Sequence, residues 1–127
     1  MTLIAVVTGI ILLEYFFLTL MVGFVRGKTG IQAPATTGDE KLERALRVQM
    51  NTLEQIVIVV PAMWIFGQYI RADIAASLGL VFVVGRILYA VGYMVDPKKR
   101  APGFIIGMLA TIVLLLGGLY GAIMAAL

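Results

Sequence analysis

Four long apolar segments restrict this chain to a membrane-spanning fold. They cover residues 3–25, 45–68, 74–94 and 103–127. Each is about 20 residues or longer, so a helix rising about 1.5 Å per residue can cross a hydrocarbon core of about 30 Å. Of all residues, 61% are hydrophobic and only 13% are charged, which does not suit a soluble domain. We therefore predict an all-α integral membrane protein, a single domain over residues 1–127 that folds as a four-helix transmembrane bundle.

Basic residues are distributed unevenly between the connections. Those after the first and third segments contain most of them, whereas the connection after the second contains only Arg71. Because Lys and Arg accumulate on the cytoplasmic side, we expect both termini outside and the basic connections in the cytoplasm. Topology therefore explains the net charge of +3, and no nucleic-acid partner is expected. No basic residues precede the first segment, which predicts a retained span instead of a signal peptide.

A first polar stripe leads into the second apolar segment. It consists of Arg44, Arg47, Asn51 and Glu54, which lie within roughly 80° of one another on a helix that turns about 100° per residue. Polar groups at the mouth of an apolar segment cost free energy unless they are paired or line a wet cavity. The stripe therefore indicates a functional site.

The third apolar segment contains a second polar stripe, formed by Arg86, Tyr89 and Tyr93 at spacing i, i+3 and i+7. The predicted topology brings both stripes to the cytoplasmic end, where Arg26 and Arg100 border the same rim. Interfacial arginines that extend toward lipid phosphates are the alternative explanation. The depth of Arg86, comparable to that of Glu54 on another helix, instead favours an internal network.

The two stripes together suit a zwitterionic ligand with more than one carboxylate. Arginine binds carboxylates bidentately, and a buried glutamate binds an ammonium group. Between Arg47 and Glu54 the helix rises about 10 Å, which fits a short peptide. The tripeptide glutathione meets these requirements, and an arginine beside its thiol would favour the nucleophilic thiolate.

Cysteine and histidine are both absent from the sequence. This excludes Cys/His metal sites, Ser-His triads and a thiol nucleophile of the protein itself. We therefore expect no metal cofactor. The protein is expected to contribute positioning and electrostatics to a reactive group that belongs to its ligand.

Glu14, near the middle of the first apolar segment, has three explanations. It is protonated, bonded to a neighbouring helix, or an ion-coupling carboxylate. The third corresponds to a proton-coupled small multidrug transporter, the main alternative function. Two features argue against that alternative: the first connection is long, whereas such transporters have tight loops, and the arginine-rich second helix would repel cationic drugs.

Three motifs follow one another along the chain. They are ERALRVQMNTLE at 43–54, GRILYAVGY at 85–93 and DPKKRAPGF at 96–104. With these motifs and the TTG of the first connection, nearly the whole chain resembles the MAPEG family, the membrane-associated proteins of eicosanoid and glutathione metabolism. The resemblance implies a bacterial-type homotrimer of the inner membrane. It also implies glutathione as co-substrate between subunits at the cytoplasmic side, and a lipophilic electrophile or lipid hydroperoxide arriving from the membrane lipid.

The resemblance also implies roles for individual residues. Arg100 resembles the arginine that stabilises the glutathione thiolate. The implied glutathione-binding residues are Arg26, Arg47, Gln49, Asn51, Glu54, Arg86, Tyr89 and Tyr93. The implied activity is a membrane-bound glutathione transferase that can also act as a peroxidase. Gln55, Pro61 and Gly27 depart from the family pattern and alter the pocket wall and its charge. A non-catalytic lipid-binding protein of the same fold is a further alternative.

Overall fold

The computed structural model describes all residues from Met1 to Leu127 and consists of helices without any strand. Its elements are α1 (Thr2–Thr29), α2 (Glu40–Tyr69), α3 (Ala72–Val95), a short 3₁₀ turn (Pro97–Arg100) and α4 (Ala101–Ala126). Each of the four α-helices is long and apolar enough to cross a membrane. The predicted all-α architecture with four long apolar helices is therefore confirmed.

Capping residues set the helix ends on either side of the first connection. The carboxylate of Asp39 accepts hydrogen bonds from the backbone N–H groups of Lys41, at 2.8 Å, and Leu42, at 3.1 Å, which fixes the start of α2. Gly30 ends α1 in the left-handed conformation, with φ 75°. Helix α1 therefore extends about one turn beyond Val25, where the predicted first segment ends. Arg26 lies on this helix and not in the connection.

The basic connection after α3 is more ordered than the loop that we expected at residues 95–102. The carboxylate of Asp96 accepts a hydrogen bond from the backbone N–H of Lys98 at 3.0 Å, and Pro97 begins the 3₁₀ turn. Proline favours the first helical position because its φ is already fixed there. The turn continues directly into α4, so Arg100 occupies a defined position at the start of that helix.

Helices α2 and α3 form the centre of the bundle. Each contacts the other three helices, whereas α1 and α4 have little contact with each other. The main core contains fully buried Ile11, Met63, Phe82 and Leu114, one from each helix in turn. Large apolar side chains are also exposed along all four helices, as expected of a surface that contacts lipid tails.

Glycines allow α3 and α4 to approach closely. A Cβ atom built on Gly85 would lie 2.7 Å from the backbone nitrogen of Gly107, and one built on Gly103 would overlap the backbone nitrogen of Tyr89. Small residues commonly permit such contacts between membrane helices. This contact brings the second polar stripe next to the start of α4.

We expect Gly103→Ala to destabilise the protein by about 1–3 kcal/mol, because the added methyl group overlaps the backbone of α3. Thermal unfolding of the purified protein in detergent would measure the effect. Gly9→Ala is a matched control, since no atom outside its own stretch of α1 lies within 4 Å of the added Cβ. Equal unfolding midpoints for the two variants would contradict the close α3–α4 contact.

Candidate functional site

A polar pocket of about 500 Å³ lies where α2 begins, α3 ends and α4 begins. Its lining residues are Arg47, Asn51, Tyr89, Tyr93, Arg100, Ala101, Phe104 and Ile105. Five of the nine site residues predicted from the sequence therefore meet in one cavity. The two polar stripes contribute four of these five, and the 3₁₀ turn contributes the fifth.

Helical spacing explains how these side chains converge. Arg47 and Asn51 are four residues apart on α2, as are Tyr89 and Tyr93 on α3, so each pair lies on one helix face. The ring centroids of the two tyrosines are 5.6 Å apart, and that of Phe104 lies 6.3 Å from that of Tyr89. These rings form an aromatic wall whose inner member, Tyr89, is almost fully buried.

The charge of the pocket favours an anionic ligand. Arg47 and Arg100 are exposed, and no carboxylate occurs among the lining residues. Arg100 uses one Nη1 donor for the backbone oxygen of Pro97, at 2.9 Å. Its other donors remain available to bind a carboxylate or a thiolate.

Asn51 adds a hydrogen-bond acceptor to this positive pocket. Its side-chain oxygen is buried and has no hydrogen-bond partner within the chain. A buried acceptor that is left unpaired costs free energy, which a ligand N–H can recover. The pocket can therefore bind carboxylates through arginine and an amide N–H through Asn51.

Arg86 lies behind the pocket, in the bundle core. It is 2% exposed, and its Nη2 donates a hydrogen bond to the Thr52 hydroxyl at 2.7 Å. Its guanidinium carbon is 4.0 Å from the centroid of the Tyr89 ring. Arg86 is therefore part of an internal network, as expected, but its hydrogen-bond partner on α2 is Thr52 and not Glu54. Thr52 belongs to the buried face of that helix, whereas Glu54 belongs to the exposed face.

Three further predicted residues lie outside the pocket of their own chain. Arg26 donates from Nη1 to backbone oxygens of the first connection, the shorter bond being 2.8 Å long. Gln49 donates from Nε2 to the Thr19 hydroxyl of α1 at 3.1 Å. Glu54 is exposed and is not among the residues that line the pocket. None of the three contributes to the cavity within one chain.

Arg44, a member of the first polar stripe, joins α2 to the end of α3. Its Nη1 donates to the backbone oxygens of Met94, at 3.1 Å, and Val95, at 3.2 Å, and its Nη2 pairs with Glu40. The last carbonyl groups of a helix have no hydrogen-bond donor within the helix, and Arg44 donates to two of them at the end of α3. Arg44 therefore stabilises the frame of the site and does not line the pocket.

Sequence reasoning missed Thr52 and the apolar part of the pocket. Thr52 lies at the spacing of buried Val48 and Ile56 on α2, so a signal that it is buried was present. Phe104 and Ile105 had no such signal. An apolar residue at the start of a span looks the same in sequence whether it lines a pocket or contacts lipid.

Thr52→Val is expected to destabilise the protein by about 1–3 kcal/mol, because it removes a hydrogen-bond acceptor from a buried guanidinium. Thermal unfolding in detergent provides the measurement. Thr111→Val is the matched control: Thr111 is also buried, but its hydroxyl bonds only to the Gly107 carbonyl of its own helix. A loss as large in the control as in Thr52→Val would contradict the assigned role of the Thr52 hydroxyl.

Comparisons with known proteins agree with the motif pattern. The MAPEG family model matches residues 4–120. An uncharacterized protein of Synechocystis sp. is 46% identical over 115 residues, which cover 91% of this chain and 84% of that protein. Human microsomal glutathione S-transferase 2 is 40% identical over 101 residues, covering 78% and 69%. Leukotriene C4 synthase of Cavia porcellus is 34% identical over 92 residues, covering 72% and 60%.

Proposed function

The chain belongs to the MAPEG family, and from this premise we propose that it is a membrane-bound glutathione transferase. The observation that supports this most directly is the polar pocket, which combines two arginines, an unpaired amide oxygen and a tyrosine wall. Relatives named as a glutathione S-transferase and as leukotriene C4 synthase support the same assignment. Glutathione is the proposed co-substrate.

The proposed binding mode follows from the charges of glutathione, a tripeptide with two carboxylates and one ammonium group. Arg47 binds a carboxylate, and Asn51 accepts a peptide N–H. Glu54 lies about two helical turns beyond Arg47 on the same face of α2, where it can accept the ammonium group. Tyr93 of α3 also lines the pocket and can donate its hydroxyl to the ligand.

Arg100 is the proposed catalytic residue. Its guanidinium attracts the thiolate and so favours loss of the thiol proton at neutral pH. The thiolate then donates an electron pair to an electrophilic carbon, forming a C–S bond while a leaving group departs. Phe104 and Ile105 form the apolar side of the pocket, which suits a lipophilic electrophile that arrives from the bilayer. The same thiolate can attack the terminal oxygen of a lipid hydroperoxide, which breaks the O–O bond, leaves the sulfur as a sulfenic acid and releases the lipid alcohol once its oxygen takes up a proton. A second glutathione then converts the sulfenic acid to glutathione disulfide and water.

Titration of the purified protein with glutathione tests this assignment. We expect a saturable ultraviolet absorbance of the thiolate near neutral pH in the wild type and its loss in Arg100→Ala, because the stabilising charge is gone. Lys98→Ala is the control, since Lys98 is an exposed cation of the same turn that lies outside the pocket. A thiolate signal retained in Arg100→Ala would refute the catalytic assignment.

We also propose that three copies of the chain assemble and that a neighbour completes each pocket. Arg26 is part of α1 and Gln49 is hydrogen-bonded to α1, and both lie outside the pocket of their own chain, so a role for them in glutathione binding requires a second copy. Glu54 is exposed, although it lies at the mouth of a membrane-spanning segment. A carboxylate exposed to lipid is costly, and contact with another subunit would remove that cost.

Mixed assemblies of two inactive variants test the shared pocket. Arg26→Ala subunits are co-expressed with Arg100→Ala subunits. If Arg26 acts in a neighbour's pocket, some pockets in the mixed oligomer contain both arginines and recover the thiolate absorbance. Each variant expressed alone is the control. No recovery in mixed oligomers that are shown to form would contradict a pocket shared between subunits.

The location of the pocket in the membrane is a further part of the proposal. Arg44, Arg47 and the basic 3₁₀ turn lie at the same end of the bundle as the pocket. By the positive-inside rule this end faces the cytoplasm, where glutathione is available, and both termini lie outside. A bacterial inner membrane is the proposed location of this single MAPEG-like membrane domain.

A further inference from the structure

Glu14 is an acidic side chain in the apolar middle of α1. Both of its carboxylate oxygens are buried, and neither has a hydrogen-bond partner. The residue lines a slot of about 340 Å³ between α1 and α3, in which Arg86 is the only other residue that is not apolar. A buried carboxylate without a compensating interaction is strongly unfavourable. As a carboxylate, Glu14 therefore requires a counter-charge.

A bilayer-soluble ligand does not meet this requirement. The slot opens between exposed apolar side chains such as Leu13, Phe17 and Val91, so lipid tails can occupy its mouth. The Glu14 oxygens, however, are covered by protein atoms and are not exposed to the slot. The compensating interaction must come from within the bundle.

Arg86 has the complementary deficit. Its Nε atom is buried without a hydrogen-bond partner, and its known contacts, the Thr52 hydroxyl and the Tyr89 ring, carry no full negative charge. The ion pairs of the chain are elsewhere, near the starts of α2 and α3. Glu14 is the one acidic residue that lines a cavity with Arg86. Attraction between them acts in a medium of low dielectric constant, without screening by salt.

We propose that Glu14 is the counter-charge of Arg86 and, through it, a positioning residue for the polar pocket. This rests on the proposed glutathione transferase function. Glu14 on α1 attracts the Arg86 guanidinium of α3 across the slot that both residues line, without a hydrogen bond between them. The guanidinium carbon in turn lies 4.0 Å from the centroid of the Tyr89 ring, which lines the polar pocket. Helix α1, which contributes no residue to this pocket within its own chain, thereby influences the shape of the pocket.

The pairing predicts two separate effects of Glu14→Gln, a nearly isosteric change that removes the charge. Arg86 would remain buried without a counter-charge, so the protein unfolds more readily. The guanidinium would also shift on Tyr89, so glutathione binds about tenfold more weakly. The thiolate fraction of the bound glutathione should stay unchanged, because Arg100 sets it. Loss of binding without loss of thiolate is a result that a general defect in folding would not produce.

A double-mutant cycle tests the proposal, using Glu14→Gln, Arg86→Gln and the variant with both changes. Thermal unfolding in detergent and glutathione affinity well below the unfolding midpoint are measured for each. In the wild-type background we expect Glu14→Gln to lower the unfolding midpoint and the affinity for glutathione. Once Arg86 is replaced, the same change should have little further effect on either quantity. Glu14→Asp, which retains the charge, should restore most of the affinity. Phe17→Leu, a change in the same slot without charge, is the control.

The pairing would be overturned if Glu14→Gln had the same effect in the wild-type background as in the Arg86→Gln background. It would also be overturned if Glu14→Gln alone left the unfolding midpoint and the glutathione affinity unchanged. If Glu14→Gln alone does not fold, recovery of folded protein in the double variant supports the pairing, and a double variant that is no more stable overturns it. If the wild type binds no glutathione, the proposed function fails. The unfolding cycle then still decides whether Glu14 and Arg86 form a pair.

Discussion

The burial of one guanidinium, that of Arg86, connects the packing of this bundle to its pocket. A charge in a low-dielectric interior is stable only where hydrogen bonds and an opposite charge surround it. Thr52 supplies the hydrogen bond from α2, and Tyr89 supplies a ring face one helical turn away on α3. With the counter-charge that we infer on α1, the interactions of the Arg86 guanidinium fix the positions of α1, α2 and α3 relative to one another. The aromatic wall of the pocket is built on the same residue, so its geometry follows from the same constraint.

Close packing of α3 and α4 completes the pocket from the other side. Glycines at the contact remove the spacing that side chains would impose, so the start of α4 lies against the end of α3. The 3₁₀ turn that precedes α4 is fixed by Asp96 and Pro97, and it ends at Arg100. The position of this arginine thus depends on a backbone contact and a capping interaction.

The sequence was sufficient for features that depend on local spacing, and insufficient for those that depend on packing. Apolar length predicted four helices, and helical periodicity predicted that Arg47 and Asn51 share a face, as do Tyr89 and Tyr93. These properties belong to single helices. Helical spacing indicates that Thr52 is buried and Glu54 is not, but only the packing of α2 against α3 shows that Thr52 is the partner of Arg86. Phe104 became part of the pocket for a similar reason.

The distribution of polar groups on α2 has a consequence for assembly. One side of the first polar stripe faces the pocket, but Glu54 continues the stripe onto a surface that a single chain leaves exposed within a membrane-spanning helix. The proposed activation of a bound thiol by Arg100 is electrostatic, and this effect is strongest where water is excluded from the site. A second copy packed on this surface would cover Glu54 and close the pocket at once. In the proposed trimer, assembly is therefore a condition of catalysis as well as of stability.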